Sequence, residues 1–235
     1  MIRHPACILQ ESQIMQTTIE VEAKLIMAAC EILDRGTSNS VDGVHFTRDS
    51  KGNLVVVATD GEGMVMYRSE SPAPSFNFTI PTKLAKAVKG VKNKYRTAVI
   101  TAEERGPGQD EKKTQKATVT FNGGTFEDVT LESLARLNGR YPDIADFVRR
   151  WREQGEPSGD PSWVRPAFIV KLAKSIRTAD YLPAMMRLEH NGVDIAKIVI
   201  AKHINVKSPE PNFACLVKPM KRESTCESSD LLNDI

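Results

Sequence analysis

One order of elements recurs three times along the chain, and it restricts the possible folds more than any single motif does. From Met15, the alternating run QTTIEVE is followed by a helix-period stretch, AKLIMAACEILDRG, and then by the strand candidates VDGVHFTRD, NLVVVATD and MVMYRSE. Period-two alternation marks the strands, while Leu25, Ile26, Ala29, Ile32 and Leu33 recur on one helical face and Gly36 is a stop signal. After Pro72-Ala73-Pro74 the order returns: FNFTIP, a helix over KLAKAVKGVKNK with Thr82 at its N-cap position, then RTAVITAEE, ATVTFNG and TFEDVTLES. A third helix, AFIVKLAKSIRTA, carries Phe168, Ile169, Leu172, Ala173 and Ile176 on its apolar side and precedes AMMRLEHN, AKIVIAKH and FACLVKPM. Matching order at low sequence identity points to a duplicated supersecondary unit, which must stack on its neighbours to bury its apolar face. The predicted class is α+β: repeated β-α-β-β-β units with helices packed on antiparallel sheets.

Residues 138–162 interrupt the pattern with a short aromatic-bearing turn of helix and a Gly/Pro/Ser-rich connection, which reads as a linker. The expected organisation is an N-terminal extension over 1–14, a domain of two units over 15–137, the linker, a partial second domain over 163–222 and an acidic tail over 223–235, expected to be mobile. Met1 and Met15 both stand as candidate functional starts.

The formal net charge of +2 conceals a strong local asymmetry. Lys83, Lys86, Lys89, Lys92, Lys94 and Arg96 run without an intervening carboxylate, whereas the tail carries Glu223, Glu227, Asp230 and Asp234. In the second helix Lys83, Lys86 and Lys89 lie opposite Leu84, Val88 and Val91, and Lys92 continues the stripe. The third helix repeats it with Lys171, Lys174 and Arg177, whereas the first mixes Lys24 and Arg35 with Glu31 and Asp34. A lysine stripe is either a solvated face or an anion-binding one. With no interleaved aromatics and no recognition-helix motif, the anionic partner expected is duplex DNA, held by its phosphates without regard to sequence.

Other chemistry finds little support. Asp60-Gly61-Glu62-Gly63 lacks the Lys-Ser/Thr of a phosphate loop, precedes no helix and supplies too few oxygens for calcium, so it reads as a turn between strands. His4, His45, His190 and His203 belong to no catalytic motif, and the carboxylate pairs Asp60/Glu62 and Asp143/Asp146 suit turns and caps. No enzyme activity, cofactor or metal site is expected. Cys7, Cys30, Cys215 and Cys226 form no C-x-x-C pair, and Cys30 and Cys215 fall where a reduced thiol acts as a small hydrophobe. Without a spanning segment or a secretory signal, the expected location is cytoplasmic.

VDGVHFTRDSKGNLVVVATDGEGMVMYR, over residues 41–68, resembles bacterial DNA polymerase sliding clamps, in which a strand ending Ala-Thr-Asp-Gly leads to another apolar strand. FNFTIPTKLAKAVKG is similar to their strand-Pro-helix entry into the second half of a clamp domain, RYPDIADFV to their interdomain segment, and ACLVKPMKR to their Met-Pro-Met-Arg C-terminus. The short matches are scattered between Thr17 and Arg222. The resemblance implies the DNA clamp fold in a divergent form: a homo-oligomeric ring around duplex DNA, helices lining the hole, acting as a processivity factor that tethers a replicative polymerase and is served by a clamp loader. Lys83, Lys86, Lys89, Lys92, Lys171, Lys174 and Arg177 would face DNA, and Val217, Pro219 and Met220 would border the partner-peptide groove, with Lys218 where the motif has its first Met. Clamp protomers have three or two domains, and this chain shows one and a half. Either residues 134–163 hold a degenerate fourth unit or ring closure is unusual or absent. The alternative is a clamp-fold interaction protein that forms no ring and binds polymerase or loader partners, with SSDLLNDI either docking in a groove or serving as a solubilising end.

Overall fold

The computed structural model describes residues 14–33, 43–90, 97–105, 114–122, 130–136, 143–153, 164–181, 185–190, 195–201 and 212–218. The first unit is β1 (Ile14–Glu22), α1 (Ala23–Cys30), β2 (Val44–Arg48), β3 (Asn53–Thr59) and β4 (Gly63–Pro72). The second is β5 (Phe78–Ile80), α2 (Thr82–Gly90), β6 (Thr97–Arg105), β7 (Thr114–Asn122) and β8 (Thr130–Arg136). After α3 (Ile144–Glu153) come α4 (Pro166–Thr178), β9 (Met185–His190), β10 (Ala196–Ala201) and β11 (Phe213–Val217).

The first two units exchange their leading strands. β1 leaves its own unit to pair with β6 in the sheet β1-β6-β7-β8, and β5 pairs with β2 in the sheet β5-β2-β3-β4-β11-β10-β9. The third unit joins the second of these sheets through β11, which runs antiparallel to β4 from Phe213 opposite Tyr67 to Val217 opposite Gly63. Alternation sets the facing in β1: Thr17, Ile19 and Val21 are buried while Gln16, Thr18, Glu20 and Glu22 are exposed.

Helix α1 packs between α2 and α4. Every residue of it except Lys24 is buried, as expected for a helix that is apolar on all sides. The helical run ends at Cys30, where the Glu31 N–H donates to the Ala28 carbonyl at 3.1 Å; the stop signal Gly36 lies outside the described residues. One core runs through all three units, including Ile19, Ile26, Phe46, Leu84, Ile100, Phe168 and Ile198. Phe46 and Phe78 stack within it at a centroid separation of 4.9 Å. Cys30 and Cys215 are buried free thiols. Among the described residues no helix is long and apolar enough to cross a membrane.

Two local readings change. Where a short turn of helix is expected, α3 runs from Ile144 to Glu153. The Asp143 carboxylate accepts the Asp146 N–H at 3.0 Å at its start, and Arg149–Glu153 and Arg150–Asp146 pairs support its exposed side. In α4, Phe168, Leu172 and Ile176 are buried and Ile169 is half-buried, but Ala173 is exposed and the fully buried polar residue is Ser175. A neighbouring helix and a strand supply hydrogen bonds that make burial of that hydroxyl affordable.

Candidate nucleic-acid interface

The two outer helices carry the exposed cations. On α2, Lys83 is exposed and Lys86 half-exposed, opposite the buried Leu84, Ala85 and Val88; the side chain of Lys89 and all of Lys92 lie outside the described residues. On α4, Lys174 and Arg177 are exposed opposite Phe168, Leu172 and Ile176. None of these four cations forms an ion pair with another described residue. Between the two helices, α1 offers only the partly exposed Lys24, whose ammonium lies 3.3 Å from Glu22.

Lys171 is placed differently. Its ammonium donates to Asp60 Oδ2 at 2.9 Å, and the Asp60 side chain is only 1% exposed. The other Asp60 oxygen accepts the N–H groups of Glu62 and Gly63, each at 3.0 Å. Thr59 donates its hydroxyl to the Gly63 carbonyl at 2.8 Å and accepts the Gly61 N–H at 3.1 Å. Gly61 takes a φ of +86°, which a side chain would strain. The segment is thus a turn between β3 and β4, as the sequence indicates, but it is also where the third unit docks. Glu62 pairs with Arg165, the Lys218 N–H donates to the Glu62 carbonyl at 2.8 Å, and Phe168 lies so close over Gly63 that a Cβ there would stand 2.1 Å from its ring.

A second link runs through the interior. Ser175 donates to the Ala28 carbonyl at 2.5 Å, which commits its single proton, so the Tyr67 hydroxyl, 2.6 Å away, donates to Ser175. Burial pushes the Tyr67 phenol far above its usual range, so it keeps its proton. β4, α4 and α1 are joined by this chain of groups. Nothing in the local pattern around Ser175 signals it; the only hint is a polar residue at a helical position that faces the core.

The remaining candidates hold structural positions. His45 is buried with Nδ1 2.9 Å from the Thr79 hydroxyl, and burial lowers it to about 4, leaving the ring neutral near neutral pH. Asp143 caps α3 and Asp146 pairs with Arg149 and Arg150. Among the described residues no three His, Cys, Asp or Glu side chains gather as a metal site would require. Of the groove residues, Val217 is buried in β11, and Pro219 and Met220 lie outside the described residues, as do residues 1–13 and 223–235.

Neither a protein-family model nor a curated protein matches the sequence. Solved structures do match. DNA polymerase III subunit beta from Borrelia burgdorferi superposes with a TM-score of 0.51 at 14% identity, covering 88% of this chain and 63% of that one. The same subunit from Pseudomonas aeruginosa gives 0.51 at 12% identity, covering 93% and 69%, and the sliding clamp of Bartonella birtlesii gives 0.51 at 15%, also covering 93% and 69%. The chain has the sliding-clamp fold. The sequence builds that fold at 12–15% identity to these clamps and spans about two thirds of their length. The antiparallel sheets, the exchanged leading strands and the helices laid side by side are this clamp fold as the present sequence builds it.

Proposed function

We propose that the chain is a non-catalytic DNA clamp, which holds duplex DNA by its phosphates without reading sequence and tethers a DNA polymerase to it. The observation that carries this reading is a set of four cations, the exposed Lys83, Lys174 and Arg177 and the half-exposed Lys86, on the two outer helices of a clamp fold without carboxylate partners among the described residues. Lys89 and Lys92 extend the α2 set in sequence. The charge of Lys171 is already balanced by Asp60, so in this reading it anchors α4. Residues 15–137 make a complete clamp domain, residues 163–222 a further half, and the polymerase engages a surface near Pro219 and Met220.

The test is retention on nicked circular duplex DNA, measured against salt, for the natural chain and for Lys83→Glu/Lys86→Glu/Lys174→Glu/Arg177→Glu. Four phosphate contacts per protomer give a log–log salt slope of about −3.6, and the reversed variant should lose that slope together with its retention. Linearising the DNA should release an encircling clamp from the ends. Retention that ignores the four reversals refutes the interface, and equal retention on linear and circular DNA refutes encirclement.

A further inference from the structure

Helix α3 is held differently from α1 and α4. Its apolar side chains Ile144, Phe147, Val148 and Trp151 recur at i, i+3, i+4 and i+7 and so form one stripe. All four are half-buried and no residue of α3 is fully buried, whereas α1 sets Leu25 and Ile26, and α4 sets Phe168 and Leu172, into the core. Among the described residues, every side-chain hydrogen bond and ion pair of the helix stays within Asp143–Glu153: the Asp143 cap, Arg149 with Asp146 and Glu153, and Arg150 with Asp146. What ties α3 to a sheet is Trp151, whose ring centroid lies 5.1 Å from the Lys197 ammonium of β10.

Lys197 shows which side of the sheet this is. Ile198 and Ile200 point into the core, so Lys197 and Val199 stand on the opposite face. On that face Lys197 lies opposite Leu216, Leu216 opposite Met64, and Met64 opposite Thr59, with Val57 two residues along β3. Val57, Met64, Val199 and Leu216 are buried, yet none belongs to the core that runs through the three units. The larger sheet therefore carries an apolar layer on its outer side as well. From Ile144 to Trp151 the stripe is about 10 Å long, which matches about two strand spacings, the span from β10 across β11 to β4.

We propose that α3 is a detachable strap over this layer, closed on it in the present structure and able to lift as a unit while both sheets and the core stay folded. The helix belongs to neither sheet, so lifting it breaks no ladder. Its cap and ion pairs are internal, so it takes them along. Closure is also imperfect: the Trp151 indole N–H is withdrawn from solvent and has no acceptor among the described residues, an unmade bond that water supplies once the helix lifts. Half-burial of four apolar side chains opposes that loss, and an element balanced in this way opens well before the core does. The layer lies on the side of the sheet away from the buried faces of α1 and α4, so opening changes the outer surface and leaves the basic helices seated. The proposal rests on the contacts of α3 and does not depend on DNA binding.

Urea titration of the full chain carrying Trp163→Phe, which leaves Trp151 as its only tryptophan, tests it. Trp151 emission should move to that of a solvated indole at lower urea than the loss of far-UV circular dichroism, which follows the sheets. Phe147→Asp, added to that chain, sets a carboxylate in the half-buried stripe. It should shift the first step to lower urea, leave the second midpoint in place and, without urea, raise the fluorescence of bound 1-anilinonaphthalene-8-sulfonate severalfold as the layer is uncovered. Phe147→Leu should restore the original profile. Coincident transitions in the Trp163→Phe chain would overturn the proposal by making α3 part of the cooperative core, as would a Phe147→Asp chain whose two midpoints fall together. Unchanged dye binding by a Phe147→Asp chain whose first step has moved would show that α3 does not cover the layer, and would overturn it equally.

Discussion

Replacing Ser175 by alanine should be among the costlier single-atom deletions in this protein, and the reason can be tested without assuming any function. Ser175 and Tyr67 are both fully buried. The serine hydroxyl accepts from Tyr67 at 2.6 Å and donates to the Ala28 carbonyl at 2.5 Å. Ser175→Ala removes both bonds, yet the two partners fare differently. Ala28 keeps the Glu31 N–H at 3.1 Å, whereas Tyr67 is left with a buried, protonated hydroxyl that has no acceptor. That orphan should cost about 1–3 kcal/mol, beyond the roughly 1 kcal/mol of an ordinary lost bond. Tyr67→Phe alone leaves Ser175 donating to Ala28 and should cost about 1 kcal/mol. In the double variant no hydroxyl is stranded, so its cost should fall below the sum of the singles by about 1–2 kcal/mol. Urea unfolding at constant m-value measures all four corners, and for a chain of this length each kcal/mol should move Tm by about 2–4 °C. Additivity to within about 0.5 kcal/mol would refute the relay and leave Ser175 as a packing residue.

Acid should weaken the fold first through His45. Its folded value of about 4 lies below the 6.5 of the unfolded chain, so the unfolded state binds the extra proton between those limits. Stability should therefore be full above about pH 6.5 and decline by about 1.4 kcal/mol per unit toward pH 4, about 3 kcal/mol in all, and His45→Phe should flatten that part of the urea–pH profile. Burial works to raise the Asp49 carboxyl, but bonds from Asn53 and the Lys51 N–H, with Arg68 alongside, bring it down to about 2. Its contribution is present above its unfolded value and is lost only as pH falls from about 4 toward 2, so the two groups act in separate windows. At the docking turn, Gly63→Ala drives a Cβ against the buried Phe168 ring, while Gly61→Ala meets open space and costs only backbone strain. The first should cost about 1–3 kcal/mol and exceed the second, and equal losses would mean that α4 is not seated on this turn.

Part of this was readable because it is local. Alternation in Thr17–Glu22 and the polar-apolar change along Lys83–Val88 depend only on the chain's own period, so strands, helices and the basic sides of α2 and α4 could be assigned from residues near one another. The turn at Asp60–Gly63 was likewise evident from its glycines. Helix α3 was underestimated because its neighbours are rich in Gly and Pro, and its support is distributed: an Asp143 cap, i,i+4 ion pairs and Trp151 beneath the Lys197 ammonium of β10, 5.1 Å from the ring.

The residues themselves determined that three helix-bearing β units would form, that each would have one apolar side, and that positive charge would collect opposite the apolar sides of α2 and α4. Which strand crosses to which sheet, and which cation is spent internally, depended on groups remote in sequence. Lys171 and Lys174 differ little in local context, yet folding brings Asp60, 111 residues away, to one and leaves the other in solvent. Ser175 lies 147 residues from the carbonyl that takes its proton. Hydrogen bonds and ion pairs act over a few ångströms in space, whereas sequence periodicity registers only neighbours along the chain, so the assignment of these partners belongs to tertiary structure alone.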